Sequence, residues 1–449
     1  MQKIWIKNNG PVNNFQMEVE KFNLLIGEQA TGKSTIAKSI YYFRTIKTKI
    51  IDYLTQIYDT NSYNNVSQEY IWFDKAIRSE LKAIFVRLFG YSWDLDPQFY
   101  MEYNYMENIS IIVALKVGER DRQYISLEYS DELYHAIKEL QKEIRSIHYG
   151  NIGVIRTSLA LANEERRRNH EMITRRVNEI FGDMRETYYI PAGRSLLTVM
   201  SNSRAMMNSA GNLDLITEQF MMLIDSVRNS FAQGVRKAHL YYPVEKRQFD
   251  VKNVADAVIN IEKGEYFYSD GKEFLKIEDD SRHPVKINFA SSGQQEVLWL
   301  LNFIYILMLR QEEAFLIIEE PEAHIYPSLQ KELLEFIVMF ANMQNGSVFI
   351  TTHSPYILTV ADNLYYAGVL AEDGKAKAVS KVINKNYIIK KDELSAYKLF
   401  SAKNRLGEER YVGLLDEEER EIRSDLIDDV SSNVNEMYTA LYNIELDNE

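Results

Sequence analysis

The segment Gly27-Glu28-Gln29-Ala30-Thr31-Gly32-Lys33-Ser34 decides how this chain folds. It matches G-x-x-x-x-G-K-[ST], and its setting matters as much as its letters. Phe22, Asn23, Leu24, Leu25 and Ile26 ahead of it form an apolar strand, while residues 35–43 behind it, beginning at Thr35, have helical character. A glycine loop between strand and helix aims backbone N–H groups and a helix N-terminus at one point, where they can cradle a β-phosphate. In that arrangement Lys33 reaches the β- and γ-phosphates and Ser34 ligates Mg²⁺, so ATP and Mg²⁺ are the expected cofactors. Two short extended runs, residues 4–6 and 15–19, precede the loop across a turn rich in Asn, Gly and Pro.

Three later segments carry the complementary chemistry. Phe315-Leu316-Ile317-Ile318 is an apolar strand that ends in Glu319 and Glu320. Adjacent positions at a strand end allow Glu319 to face the metal and Glu320 to face an attacking water, as metal ligand and general base. His353 follows a second apolar strand, residues 347–351, where an imidazole can hydrogen-bond the γ-phosphate and sense its loss. The C-terminal ends of parallel strands are where open α/β sheets bind ligands. Ser291-Ser292-Gly293-Gln294-Gln295 opens a helix, a second anion-binding terminus, although a serine-rich cap alone is not distinctive.

Between these segments the pattern is mixed. Residues 51–100 combine aromatic and acidic residues at helical spacing. Residues 108–117 and 123–129 read as a β-hairpin, and residues 131–181 as mostly helical with a break near Gly150–Gly153. Asp270-Gly271 between alternating aromatic flanks is the strongest hairpin signal in the chain, and residues 285–289 read as a strand leading into the Ser291 cluster. Met206, Met207, Met221 and Met222 favour a core position. Arg166-Arg167-Arg168 and Arg175-Arg176, interleaved with glutamates, favour a solvated helix face over a phosphate contact. Strands alternating with helices give an α/β fold with a mostly parallel sheet.

The composition bounds the chemistry. The chain has 449 residues, 46% apolar and 26% charged, which fits a folded globular protein. Its longest apolar run, residues 297–309, holds 13 residues against the roughly 20 of a membrane span, and reads as a buried helix. Polar residues at positions 8–10 interrupt any signal peptide, so the expected location is cytoplasmic, with no membrane partner. With no cysteine, thiolate catalysis and Cys-ligated zinc are excluded. The net charge of −13 is concentrated after residue 415, where 12 acidic residues face only Arg420 and Arg423. A near-neutral body leaves direct contact with nucleic acid open.

The ordered set of motifs resembles the ABC-type ATPase heads of the SMC, RecF and OLD families, of the AAA_15 or AAA_21 kind. The resemblance covers the first 45 residues and about 245–400. It implies a P-loop NTPase with an ABC-type head, a mostly parallel sheet plus an antiparallel β-subdomain, and a helical insertion. It divides the chain into an N-lobe at 1–45, an insertion at 46–245, a C-lobe at 246–380 and a C-terminal segment with the acidic tail at 381–449. By resemblance Ala290-Ser291-Ser292-Gly293-Gln294 is the signature motif, which in that class touches the γ-phosphate held by a second protomer. Pro321-Glu322-Ala323-His324 takes the place of the D-loop and His353 that of the switch histidine. Glu319 stands where many members carry Asp, and no glutamine-loop residue is assigned.

OLD proteins fuse a nuclease after the head, whereas only about 70 residues follow residue 380 here, in a helical, solvated pattern. The expected protein is therefore a standalone head similar to the ATPase subunits of the Septu and PARIS anti-phage systems. The resemblance implies an ATP-sandwiched dimer with a second copy of itself, controlling a separately encoded effector, expected to be a nuclease. The alternative is a RecF- or SMC-like repair ATPase that clamps DNA directly. His135, His148, His170, His239 and His283 are scattered among unrelated segments and suggest no nuclease centre in this chain.

Overall fold

Phe22–Gly27 (β3) is buried at all six positions in the computed structural model, as are Ala314–Glu319 (β11) and Ser347–Thr352 (β12). Only strands covered on both faces are so uniformly buried. The structure describes residues 1–60, 71–118, 123–150, 159–200, 213–243, 247, 249–277, 284–401, 410–416 and 421–423. Leu394–Leu399 (β13), β3, β12, β11 and Glu186–Ile190 (β7) lie side by side in that order, all parallel. Tyr411–Gly413 (β14) adds an antiparallel edge. Register aligns the site: Thr352 pairs with Ile26 and Glu319 with Thr351. The glycine loop, His353 and Glu320 therefore emerge together at the C-terminal ends of three adjacent interior strands.

Alternation along these strands sorts two cores. Leu25, Phe315, Ile317 and Phe349 face a cluster with Ile36, Ile40, Phe43 and Leu54 of the helix Lys33–Thr60. Leu24, Ile26, Leu316, Ile318, Val348 and Ile350 face the opposite way, against the helices Ser292–Arg310 and Pro327–Met343. The first of these is buried from Gln295 through Leu309, which makes residues 297–309 the buried helix that the sequence indicates. On the far side of Lys33–Thr60 lies an antiparallel sheet with strand order Val12–Val19 (β2), Gln2–Asn9 (β1), Tyr100–Met106 (β4), Ile109–Val117 (β5) and Gln123–Tyr129 (β6). A small third sheet joins Glu265–Ser269 (β8), Lys272–Lys276 (β9) and Val285–Lys286 (β10). Leu415–Asp416 (β15) and Glu421–Ile422 (β16) pair alone.

The fold is thus the α/β P-loop NTPase architecture with a mostly parallel sheet and an antiparallel subdomain, as expected. The local outcomes are uneven. The helix after the loop runs to Thr60, so the division at residue 45 falls inside it. The segment 46–245 supplies β4, β5 and β6 to the N-terminal sheet and β7 to the central one. The segment 381–449 supplies β13, directly beside the loop strand. The strand expected at 285–289 is shorter: only Val285–Lys286 pairs, and Ile287–Phe289 forms a 3₁₀ turn that brings Ser291 to its capping position. Asp270 and Gly271 make the expected hairpin, both with positive φ. Met221 is buried and Met222 exposed, whereas Met206, Met207 and His283 lie outside the described residues. Arg167, Arg168 and Arg175 pair with Glu171, Glu164 and Glu179 one turn away, and Arg176 with Glu143, which makes a solvated mixed face. Of the acidic tail, residues 417–420 and 424–449 lie outside the described residues.

Candidate functional site

Gly27 ends β3, and Lys33 begins the helix that leaves the loop. The intervening Glu28, Gln29 and Ala30 are exposed, with Ala30 in the left-handed region at φ +61°. Gly32 sits at φ +106°, and a Cβ there would fall 2.6 Å from Val12 Cγ2, so the β1–β2 turn packs directly on the loop and only glycine fits. The Thr31 hydroxyl donates to the Glu28 carbonyl at 2.9 Å and closes the loop on itself. Ser34 is exposed on the first helical turn. Beside Thr35 opens a cleft of about 370 Å³, lined among others by Asn8, Gly10, Asn13, Asp94 and Asp96.

The Lys33 side chain folds back over the loop. Its ammonium donates to the carbonyls of Gly27 and Glu28, each at 2.8 Å, and lies 3.4 Å from His353 Nδ1. Burial lowers its pKa to about 8, against the opposing pull of Glu320, Glu322 and Glu319. His353 Nε2 in turn lies 2.8 Å from Glu320 Oε1. With an ammonium on Nδ1, the imidazole proton belongs on Nε2 and is donated to Glu320. Lys33, His353 and Glu320, from three separate elements, thus form one line. Glu320 itself leaves the strand: its φ is +44° and its N–H donates to the Thr351 carbonyl at 2.8 Å. The two carboxylates are therefore separated by a turn rather than by strand alternation alone.

Glu319 stays in the strand and is 8% exposed. Its Oε2 accepts from the Ala192 N–H at 3.4 Å, and its Oε1 is buried. The nearby Tyr189 phenol is held well above its ordinary pKa, first by burial and then by the Glu319 charge. Held only by the Ala192 N–H and the neighbouring Tyr189 phenol, the buried Glu319 carboxylate keeps oxygen lone pairs that a hard cation would use, so these residues fit Mg²⁺ bound with a nucleotide. Glu322 has a different occupation. Its Oε1 accepts from the Thr352 hydroxyl at 2.5 Å and the His353 N–H at 2.8 Å, which fixes the backbone that carries the histidine.

Ser291 caps the helix Ser292–Arg310 in a reciprocal box with Gln294, and the Gln294 amide also donates to the Glu262 carbonyl at 3.2 Å. A Cβ on Gly293 would fall 2.7 Å from the His324 carbonyl, so the segment after Glu320 lies against this helix start. Arg194, which no local motif marks, joins the two. It is fully buried and donates to the carbonyls of Glu319 (2.7 Å), Glu320 (2.9 Å), Pro191 (2.8 Å) and Glu296 (2.9 Å). Its Nε also lies 3.4 Å from Glu296 Oε2.

A glycine loop packed beside two strand-end glutamates and a histidine is the nucleotide site of a P-loop ATPase domain. The AAA ATPase domain family (AAA_15) matches residues 1–358, and the chain belongs to that family. Membership implies nucleotide binding, usually with Mg²⁺. No curated protein sequence matches the chain. Among solved structures it is similar to an SMC head bound to the C-winged helix domain of ScpA, at 12% identity and a TM-score of 0.42 over 93% of this chain and 98% of that one. It is also similar to the SMC head domain from Thermotoga maritima, at 12% identity and a TM-score of 0.34 over 80% and 91% of the two chains. A third is the SMC head with an extended coiled coil bound to the C-terminal domain of ScpA from Pyrococcus furiosus, at 12% identity and a TM-score of 0.33 over 81% and 92%. Among the described residues no helix is long and apolar enough to cross a membrane.

Proposed function

We propose that this protein hydrolyses ATP at a site that two copies complete together, and that the closed dimer is the state it signals with. The observation that carries the reading is the line from Lys33 through His353 to Glu320, with His353 2.8 Å from the Glu320 carboxylate. The loop amides and Lys33 hold the β- and γ-phosphates, and Ser34 and Glu319 hold Mg²⁺, which offsets charge on the phosphate oxygens. Glu320 takes a proton from water as the water oxygen bonds to the γ-phosphorus. The bond from that phosphorus to the bridging oxygen breaks, which yields ADP and phosphate. His353 orients Glu320 and stands between it and the cation that faces the γ-phosphate, so loss of that phosphate is felt at the base.

Ser291 and Gly293 then serve the partner's nucleotide. Mixing a Lys33→Ala protomer with a Ser291→Arg protomer leaves each mixed dimer one site built from two intact halves, so ATPase activity should partly return. No return in dimers shown to be mixed argues against a composite site. The resemblance to standalone anti-phage heads supports the further reading that the switch controls a separately encoded effector. Co-purification from native cells with the product of a neighbouring gene tests it, and a chain that purifies alone under all nucleotide conditions argues against it.

A further inference from the structure

Glu320 is held in a backbone conformation that L-residues rarely adopt, at φ +44°. Left alone, such a turn relaxes towards the strand and carries its carboxylate away. Two contacts on its backbone resist this. The N–H of Glu320 donates to the Thr351 carbonyl, and the Arg194 guanidinium donates to the carbonyls of both Glu319 and Glu320, at 2.7 and 2.9 Å. A planar fork that reaches two successive carbonyls sets the peptide plane between the two glutamates, something a single ammonium cannot do.

The other side of Arg194 is fixed to a different element. Glu296 lies on the second turn of the helix that Ser291 caps, and is 1% exposed. Its carboxylate accepts from the backbone N–H of Arg194 at 3.0 Å and of Ser195 at 3.1 Å, which caps the start of the helix Arg194–Met200, and its carbonyl accepts from Arg194 Nε. The Thr198 hydroxyl adds a bond to the Gln295 carbonyl at 2.8 Å. The start of the Ser292–Arg310 helix and the turn at Glu319–Glu320 therefore share one buried cation and one buried carboxylate.

We infer that Arg194 is a positioning residue that, through Glu296, ties the turn carrying Glu320 to the helix that begins at Ser291–Gln294. A displacement of that helix start when a second copy engages it is passed to the general base without a change at the phosphate loop. The inference rests on Glu320 acting as the base in the proposed hydrolysis. It predicts a split that a purely structural plug does not produce: nucleotide affinity set by Lys33 is kept, while turnover set by Glu320 is lost.

The test uses the full chain with Mg²⁺ and ATP in single-turnover and steady-state assays, beside equilibrium binding of a non-hydrolysable ATP analogue. Arg194→Lys keeps the charge opposite Glu296 and loses the fork. It should bind the analogue within about threefold of wild type and lose about 100-fold in kcat, the penalty of misplacing a reacting group by about 1 Å. In a Glu320→Gln background the same substitution should cost little more, because both act through one group. Glu296→Asp, which withdraws the carboxylate by one methylene, should lower kcat in the same direction and serves as the reading if Arg194→Lys fails to fold. Wild-type kcat in whichever of the two variants folds, or a loss that adds fully to that of Glu320→Gln, overturns the inference. If Glu320→Gln alone turns over normally, the assignment of the base falls first.

Discussion

Raising the pH from 7 to 9 should weaken binding of a nucleoside triphosphate by about tenfold and make it take up about one proton per site. The cause is Lys33, a residue 6% exposed whose amine donates to the carbonyls of the loop it serves. Burial brings its pKa down to about 8, and Glu320, Glu322 and Glu319 restore only part of the difference from 10.5. Before binding, the amine is about nine-tenths charged at pH 7 and about one-tenth charged at pH 9. Phosphate oxygens favour the ammonium, so at pH 9 the ligand must recruit about 0.9 proton, a cost of about 1.4 kcal/mol. Without ligand the sign is opposite. Between about pH 8 and 10.5 the folded chain holds fewer protons at Lys33 than the unfolded one, so this residue's contribution makes stability rise with pH there. Calorimetry with a non-hydrolysable ATP analogue and Mg²⁺, in two buffers of different ionisation enthalpy, reads the proton directly. Lys33→Arg keeps a charge throughout and should bind without uptake at pH 9. No uptake by the wild type at pH 9, or equal uptake by Lys33→Arg, refutes the reasoning.

Glu322→Gln keeps an oxygen for the Thr352 hydroxyl and the His353 N–H, so turnover should stay within about tenfold of wild type. Glu322→Ala strands both donors and should cost about 1–3 kcal/mol of stability in urea unfolding. A Cβ on Gly368 would lie 1.9 Å from the Ile389 carbonyl, so Gly368→Ala must move backbone. Denaturant unfolding should show a loss of about 1–3 kcal/mol or more. The purified protein, incubated with plasmid, linear DNA and tRNA in Mg²⁺ or Mn²⁺, with and without ATP, should cut none of them. Cleavage that survives repurification and disappears on mutating a residue of this chain contradicts the switch-with-effector reading.

The parts of the site that a sequence makes legible are those whose chemistry is local. Gly27 through Ser34, the Glu319–Glu320 pair and the Asp270-Gly271 turn each announce themselves within a few residues, because phosphate cradles, strand ends and tight turns are built from neighbours. What stayed hidden depends on distant segments. The partners of Arg194 lie 102 to 126 residues away, apart from the Pro191 carbonyl, and no periodicity marks an arginine that packs between a strand end and a helix. β13 completes the sheet beside β3 from more than 360 residues downstream, and its Leu394–Leu399 run resembles many short apolar stretches. β4 is a different case. Tyr100–Met106 alternates buried and partly exposed positions along its length, a period-2 signal that the aromatic content of the neighbouring residues obscures. Glu322 shows the remaining limit. The D-loop position that the resemblance gives it does not reveal that its Oε1 is already committed to Thr352 and His353.

Phosphate release by the wild type and by Glu320→Gln, measured with Mg²⁺ and ATP beside nucleotide binding and oligomeric state, bears most directly on the account. The wild type should hydrolyse ATP. Glu320→Gln should bind it as well, lose about 10²- to 10⁴-fold in turnover, and accumulate as an ATP-held dimer. Wild-type turnover in Glu320→Gln with binding intact would contradict the assignment of the base, and with it the line from Lys33 through His353 on which the proposed function stands.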